Sequence, residues 1–321
     1  MTNRRDFLRN ASLFTLGGLL AGKGSMASAA TNAAPVVHNV HASKNFGLQI
    51  YSLFRELYDD VPGGLKKVAD MGYSYIELAG YRDGKISNIE MADFKKMADD
   101  AGLKIRSTHV NPPVREYNAS NKQQIMDFWK KAADDHAKIG VQLLIQPGQP
   151  STRSVEETAY VGEIFNEAGK IAKAAGLSFG YHNHEMEFAQ VIPGGSESKF
   201  GRRAYGRDQQ GVEIIYDLML KNTDPSLVFF ELDVYWTVMG QQDPVAYIKK
   251  YKDRIKALHI KDKYVLGQSG MMNFERIFAQ ANANGITNFF VELERMAEGT
   301  GTQFEGVKGC ADFLNKSSFV K

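Results

Sequence analysis

The chain has a single cysteine, Cys310, among its 321 residues. One thiol can form neither an internal disulfide nor a cysteine-based zinc cluster, and Cys310 reads as a small buried residue on the last helix. Long apolar runs are also missing. The apolar stretch from Ala11 to Gly22 has about twelve residues, and a bilayer span needs roughly twenty. An excess of one charge is missing too: 39 basic residues stand against 37 acidic ones, a formal net charge of +2. That balance gives no electrostatic reason to bind nucleic acid or an anionic membrane, so neither is expected as a partner.

The first residues have an identifiable pattern. Arg4-Arg5-Asp6-Phe7-Leu8 is a twin-arginine pattern, the mild apolar run follows, and Ala27-Ser28-Ala29 closes the segment as an A-x-A cleavage signature. Residues 1–29 are therefore expected to be a removable twin-arginine signal peptide, which implies a periplasmic address. No cysteine follows the run, so no lipid anchor and no stable membrane attachment is expected. Removing the leader takes away Arg4, Arg5, Arg9 and Lys23 against Asp6, which lowers the formal charge of +2 by three to −1. Residues 30–44 are small and polar and read as a flexible lead-in. Residues 45–321 are the expected folded domain, and self-association into a homo-oligomer stays open.

From Phe46 onward, short apolar segments alternate with longer amphipathic ones. Eight strands are predicted at Phe46–Leu53, Tyr73–Ala79, Lys104–Val110, Gln142–Pro147, Leu177–Asn183, Val228–Tyr235, Ile255–Lys261 and Asn288–Leu293. Most are apolar throughout their centres, as parallel strands covered on both faces must be. The helices between them stop on glycine, as in "LKKVADMG", "FKKMADDAG" and "AKAAG". Helix starts are legible at Ser154-Val155-Glu156-Glu157 and Asp243-Pro244. Alternation repeated eight times, without a G-x-G-x-x-G after the first strand, points to a single-domain α/β fold, the closed (β/α)8 TIM barrel. The longest interval, after the fifth strand, holds a glycine-rich basic stretch from Pro193 to Gly211, either a surface insertion or a lid.

In such a barrel the C-terminal ends of the strands carry the chemistry. Four of the seven histidines fall there: His109, His182, His184 and His259. Acids gather at the same ends: Glu77, Asp233, Asp262, Glu292 and Glu294. In "ELDVYW" Asp233 is set among bulky residues, where a carboxylate without a cation is costly. His259 likewise ends an apolar strand. Two imidazoles and two carboxylates form a mixed N/O donor set suited to one divalent metal ion. Mn2+ and Zn2+ lead, Co2+ and Fe2+ also fit, and Mg2+ prefers oxygen throughout.

The strings "GYHNHEMEF", "FELDVYW", "RIKALHIKD" and "FFVELE" resemble the xylose-isomerase-like barrel superfamily of sugar phosphate isomerases and epimerases, in that family's order, from about Phe46 to Leu314. The resemblance implies Asp233, His259 and Glu292 as metal ligands on strands 6, 7 and 8. The family's fourth ligand is usually a glutamate on strand 5. Here that slot reads His182-Asn183-His184, which implies His182 on the metal and His184 toward substrate. The departure weakens a symmetric two-carboxylate mechanism. Trp236 stands where the epimerases have a histidine, and is expected to stack on a sugar ring.

The expected activity is that of an isomerase or epimerase of a keto or aldo sugar, working through a metal-stabilised enediolate. Glu292, His184, Lys261 and Glu77 are the candidates for moving the proton. His109, Gln146, Trp236 and Glu294 are read as substrate contacts. The alternative on the same site is a lyase or glycoside-cleaving enzyme that eliminates a β-substituent from a 3-keto sugar, or an inosose-type dehydratase.

Overall fold

Eight short strands form where the apolar segments predict them: β1 Gly47–Gln49, β2 Tyr75–Leu78, β3 Lys104–His109, β4 Leu143–Gln146, β5 Ser178–His182, β6 Val228–Asp233, β7 Ile255–Lys261 and β8 Asn288–Glu292. This computed structural model describes residues 44–148, 150–206 and 209–321. The expected signal peptide and, Lys44 excepted, the lead-in lie outside the described residues. Each strand pairs in parallel with its neighbours in sequence, and β8 returns to β1, so the sheet closes into a barrel. The principal covering helices are α1 Val61–Asp70, α2 Met91–Asp100, α3 Lys122–Lys138, α4 Val155–Ala174, α5 Ile215–Lys221, α6 Pro244–Lys250, α7 Phe274–Ala283 and α8 Gln303–Lys316. None of the described helices is long and apolar enough to cross a membrane.

The local signals act as their chemistry dictates. Gly72, Gly102 and Gly176 follow α1, α2 and α4 with φ of +99°, +81° and +82°, the left-handed stop that a side chain resists. Ser154 Oγ accepts from the Glu157 N–H at 3.1 Å at the start of α4, and Asp243 accepts from the Val245 N–H at 2.9 Å ahead of Pro244. Cys310 is a buried free thiol on α8, as expected.

Two small sheets decorate the barrel. Tyr81–Arg82, Lys85–Ile86 and Ile89–Glu90 form a three-stranded antiparallel sheet after β2. Gln190–Val191 pairs antiparallel with Glu213–Ile214, which folds the long insertion back on itself. Tyr205 pins that insertion, donating its N–H to Gln190 at 2.9 Å and its hydroxyl to the Glu197 carbonyl at 2.8 Å.

Inside the barrel the layers differ sharply. The lower interior is closed by Tyr75, Ile145, Phe229, Ala257 and Phe290, all buried. Above it the inward positions turn polar yet stay buried: Gln49, Glu77, Ser107, Glu231 and His259. Register places these groups. His182 lies beside Glu231, Asp233 beside His259, and Lys261 beside Glu292. Side chains alternate along a strand, so Glu231 and Asp233 share the inward face, as do His259 and Lys261.

Candidate metal centre

At the upper end of this polar core, His182, Asp233, His259 and Glu292 each bring one ligand atom within 4.8 Å of the others, and all four residues are buried. Asp233 serves two purposes. Its Oδ1 accepts the Trp236 N–H at 2.8 Å and caps the short helix Val234–Met239. Its Oδ2 is buried without a hydrogen-bond partner among the described residues. Burial pushes the Asp233 carboxyl up to about 7, against the pull of Lys261 and His259. The Nδ1 of His259 is likewise buried and unpartnered, 3.5 Å from Glu292 Oε2 and 3.9 Å from Asp233 Oδ2. A carboxylate oxygen and a ring nitrogen without hydrogen-bond partners among the described residues, 3.9 Å apart and beside Glu292, suit a divalent cation, which would answer both.

Below the four, two buried carboxylates hold the imidazoles. Glu77 Oε2 lies 2.7 Å from His259 Nε2 and accepts from Gln49 Nε2 at 2.9 Å, and Ser107 Oγ donates to Glu77 Oε1 at 2.5 Å. Glu231 Oε2 lies 3.2 Å from His182 Nδ1 and 2.9 Å from His109 Nε2. Burial works to raise Glu77, but His109, His259 and the donors prevail and hold it low. Glu231 is raised, first by burial and then by the Glu77 charge. The two carboxyls of this pair are thus shifted in opposite directions, Glu77 down and Glu231 up. The second metal-like grouping, His109, His182, Glu231 and His259, is this hydrogen-bonded network.

A second cluster rims the mouth. Lys261 Nζ donates to Glu292 Oε2 and to Glu294 Oε1, both at 2.6 Å, and lies 4.9 Å from the centre of the Trp236 ring. Burial opposes its charge, yet Glu292, Asp233 and Glu294 keep it raised, so Lys261 is held as an ammonium. His184 has the opposite character: burial, against the pull of Glu292, brings it down to about 4 and leaves a neutral imidazole. Its backbone N–H donates to Glu187 Oε2 at 3.0 Å. A cavity of about 410 Å³ opens here, lined among others by His109, His182, His184, Glu292 and Glu294.

A family model, the xylose isomerase-like TIM barrel, matches residues 65–316. The chain belongs to the xylose isomerase-like TIM barrel family. Two solved structures from Parabacteroides distasonis, both described as sugar phosphate isomerase/epimerase, are similar to it. One is 54% identical with a TM-score of 0.80, covering 87% of this chain and 100% of that one. The other is 46% identical with a TM-score of 0.82, covering 89% and 100%. An inosose dehydratase of Clostridium beijerinckii is 25% identical over 220 residues, 64% of this chain and 67% of that protein. An inosose dehydratase of Clostridium tetani matches at 30% over 107 residues, only 29% of its length. The structure of an L-ribulose 3-epimerase, 15% identical with a TM-score of 0.62, shares the fold. With such relatives this family member is an enzyme.

Against the family fold, the expected residues separate. His182, Asp233, His259 and Glu292 come together, and His109, His184 and Glu294 line the mouth. Glu77 does not face the mouth: it is fully buried and bonded to His259, because the shear of the barrel sets its position on β2 below the ring. Gln146 is turned away as well. Its Oε1 accepts from Tyr117 at 2.9 Å and its Nε2 donates to the Gly148 carbonyl at 2.8 Å, beside a neighbouring cavity that shares Asn111 and Gly148 with the mouth. Trp236 flanks Lys261 and His184 and is not among the mouth-lining residues. Asp262 accepts the backbone N–H groups of Lys263 and Gly267, a loop-holding task. No described residue of Pro193–Gly211 lines the mouth cavity. Glu231 was legible and goes unread in the sequence: it stands two residues before Asp233, so alternation alone puts it on the inward face.

Proposed function

We propose that this family member is a divalent-metal-dependent isomerase or epimerase of a keto or aldo sugar, with His182, Asp233, His259 and Glu292 as the ligands. The observation that carries the reading is the pair of buried atoms without hydrogen-bond partners among the described residues, Asp233 Oδ2 and His259 Nδ1, 3.9 Å apart and beside Glu292. When bound, the cation would polarise a carbonyl and steady negative charge on its oxygen. Mn2+ or Zn2+ suits two imidazoles and two carboxylates best.

The rest falls to the side chains. His184, neutral and in the mouth, takes the proton from the carbon beside the carbonyl, and the C–H electron pair moves toward the carbonyl oxygen. Lys261, an ammonium 2.6 Å from Glu292, keeps that carboxylate ionised and places positive charge near the developing oxyanion. Return of that proton to the former carbonyl carbon, with the neighbouring hydroxyl proton passing to the oxyanion, isomerises the sugar; delivery of a proton by a second acid to the opposite face of the original carbon, while His184 keeps the first, epimerises it.

A second reading is elimination on the same site: the electron pair expels a β-substituent, which leaves with a proton. The relatives named inosose dehydratases favour it, as does a histidine at position 182 in place of the paired acid/base carboxylate. Incubation with keto sugars in deuterated water separates the two. Deuterium gain with no group lost supports isomerisation, whereas loss of water or an aglycone supports elimination. Absence of both with the metal-loaded protein overturns the catalytic reading. We also propose export of the mature enzyme to the periplasm, on the strength of the Arg4-Arg5 leader.

A further inference from the structure

The mouth cavity continues sideways into a groove of about 540 Å³, and Tyr51, Ala79 and Gly80 line both. The mouth alone, at about 410 Å³, already falls within the roughly 300–1,000 Å³ of a complete small-molecule site. The groove therefore adds room beyond one sugar ring. Tyr51, Phe54, Tyr58 and Ser87 line it, Ser87 in the turn between two strands of the small sheet.

Three observations give this groove a ligand class. Among the described residues the exposed large hydrophobics include only two aromatics, Tyr51 at 48% and Phe54 at 52%, and both stand here, ring centres 5.6 Å apart and edge to face. Phe54 adopts φ +36°, a left-handed conformation that is strained for a bulky residue and holds its ring at the groove. Arg55, its guanidinium 5.8 Å from the centre of the Phe54 ring, and Asp59 line the same groove with no hydrogen-bond or ion-pair partner among the described residues. Apolar ring faces with unspent donors and acceptors beside them match a pyranose, which offers C–H faces and a rim of hydroxyls.

We propose that this groove is a second sugar subsite, so that the enzyme takes a substrate of at least two rings: the reacting keto sugar in the mouth and a second pyranose against Tyr51 and Phe54. The proposal rests on the reading of the mouth as a metal-dependent keto-sugar site. Calorimetric titration of the metal-loaded enzyme tests it with two matched sets, D-fructose against turanose, maltulose and palatinose, and 3-keto-glucose against 3-keto-cellobiose and 3-keto-trehalose. At least one disaccharide is expected to bind about tenfold or more tighter than its monosaccharide. Phe54→Ala should erase that gain and leave the monosaccharide within twofold, while Phe54→Trp should keep it. Phe54 is half exposed and outside the mouth, so its loss does not open the core. If monosaccharides bind in a chelator-sensitive way but no disaccharide gains, or the gain survives Phe54→Ala, the subsite is wrong and the mouth reading stands. If no keto sugar binds, or chelation changes nothing, the mouth reading fails and takes the subsite with it.

Discussion

Glu77 Oε2 lies 2.7 Å from His259 Nε2, while the other ring nitrogen of His259 has no hydrogen-bond partner among the described residues and lies 3.5 Å from Glu292 and 3.9 Å from Asp233. A carboxylate behind a ligand imidazole selects the tautomer and fixes the ring plane, so the free nitrogen is the one presented to a cation. Removing that carboxylate should weaken metal binding about 10- to 100-fold without unfolding the barrel. Glu77→Gln keeps an acceptor oxygen and should lose less than Glu77→Leu. Metal affinity measured by competition with a chelator checks this, and equal affinity in all three proteins would mean that Glu77 does not position His259.

Asp233 separates metal binding from stability. Asp233→Asn retains an oxygen to cap Val234–Met239 but not the charge, so metal should be lost with little change in melting temperature of the apo-protein. Asp233→Ala should lose the metal and also about 1 kcal/mol of cap stability. Metal analysis and thermal melts on both variants suffice. Full metal content in either one excludes Asp233 as a ligand.

His184→Asn should lower kcat by about 10²- to 10⁴-fold while leaving metal content unchanged, because the ring moves a proton and does not hold the ion. Lys261→Met should also slow turnover, but by removing a cation beside Glu292. Solvent deuterium exchange into bound sugar tells them apart. It should vanish in His184→Asn, and its persistence there would assign the base elsewhere.

His136 sets an acid limit on stability away from the mouth. Burial brings it down to about 4 from the ordinary 6.5, with Nδ1 2.6 Å from the Ala132 carbonyl and Nε2 3.1 Å from Thr108 Oγ1. The folded state resists protonation, so this contribution is complete above pH 6.5 and is lost as pH falls toward 4, about 3 kcal/mol over the window. His184 titrates in the same direction. In His136→Gln the unfolding free energy should fall less steeply between pH 6.5 and 4, by the slope of one proton. An unchanged slope in urea titrations across that range would refute the assignment.

Protein recovered from the native envelope should begin near Ala30, with residues 1–29 removed. Intact-mass measurement checks this, and a cytoplasmic chain starting at Met1 or Thr2 would end the export proposal.

Much of this molecule was readable from local pattern, because local pattern is what builds it. Apolar runs of strand length, glycine stops after Met71, Ala101 and Ala175, and caps at Ser154 and Asp243 each act within a few residues. Once a barrel is implied, the chain's own order of strand ends places His182, Asp233, His259 and Glu292 on consecutive strands and hence on one arc of the mouth. Tertiary structure decided the rest, because alternation chooses the face of a strand but not the height at which a neighbour meets it. Glu77 and His259 are 182 residues apart, and only the sheared register of a closed sheet sets that carboxylate under that ring. The same closure makes Lys261 an ammonium between Glu292 and Glu294, turns Gln146 away toward Tyr117, and brings Phe54 to the edge of a groove shared with Gly80. These are contacts between distant segments, and no spacing within either segment encodes them.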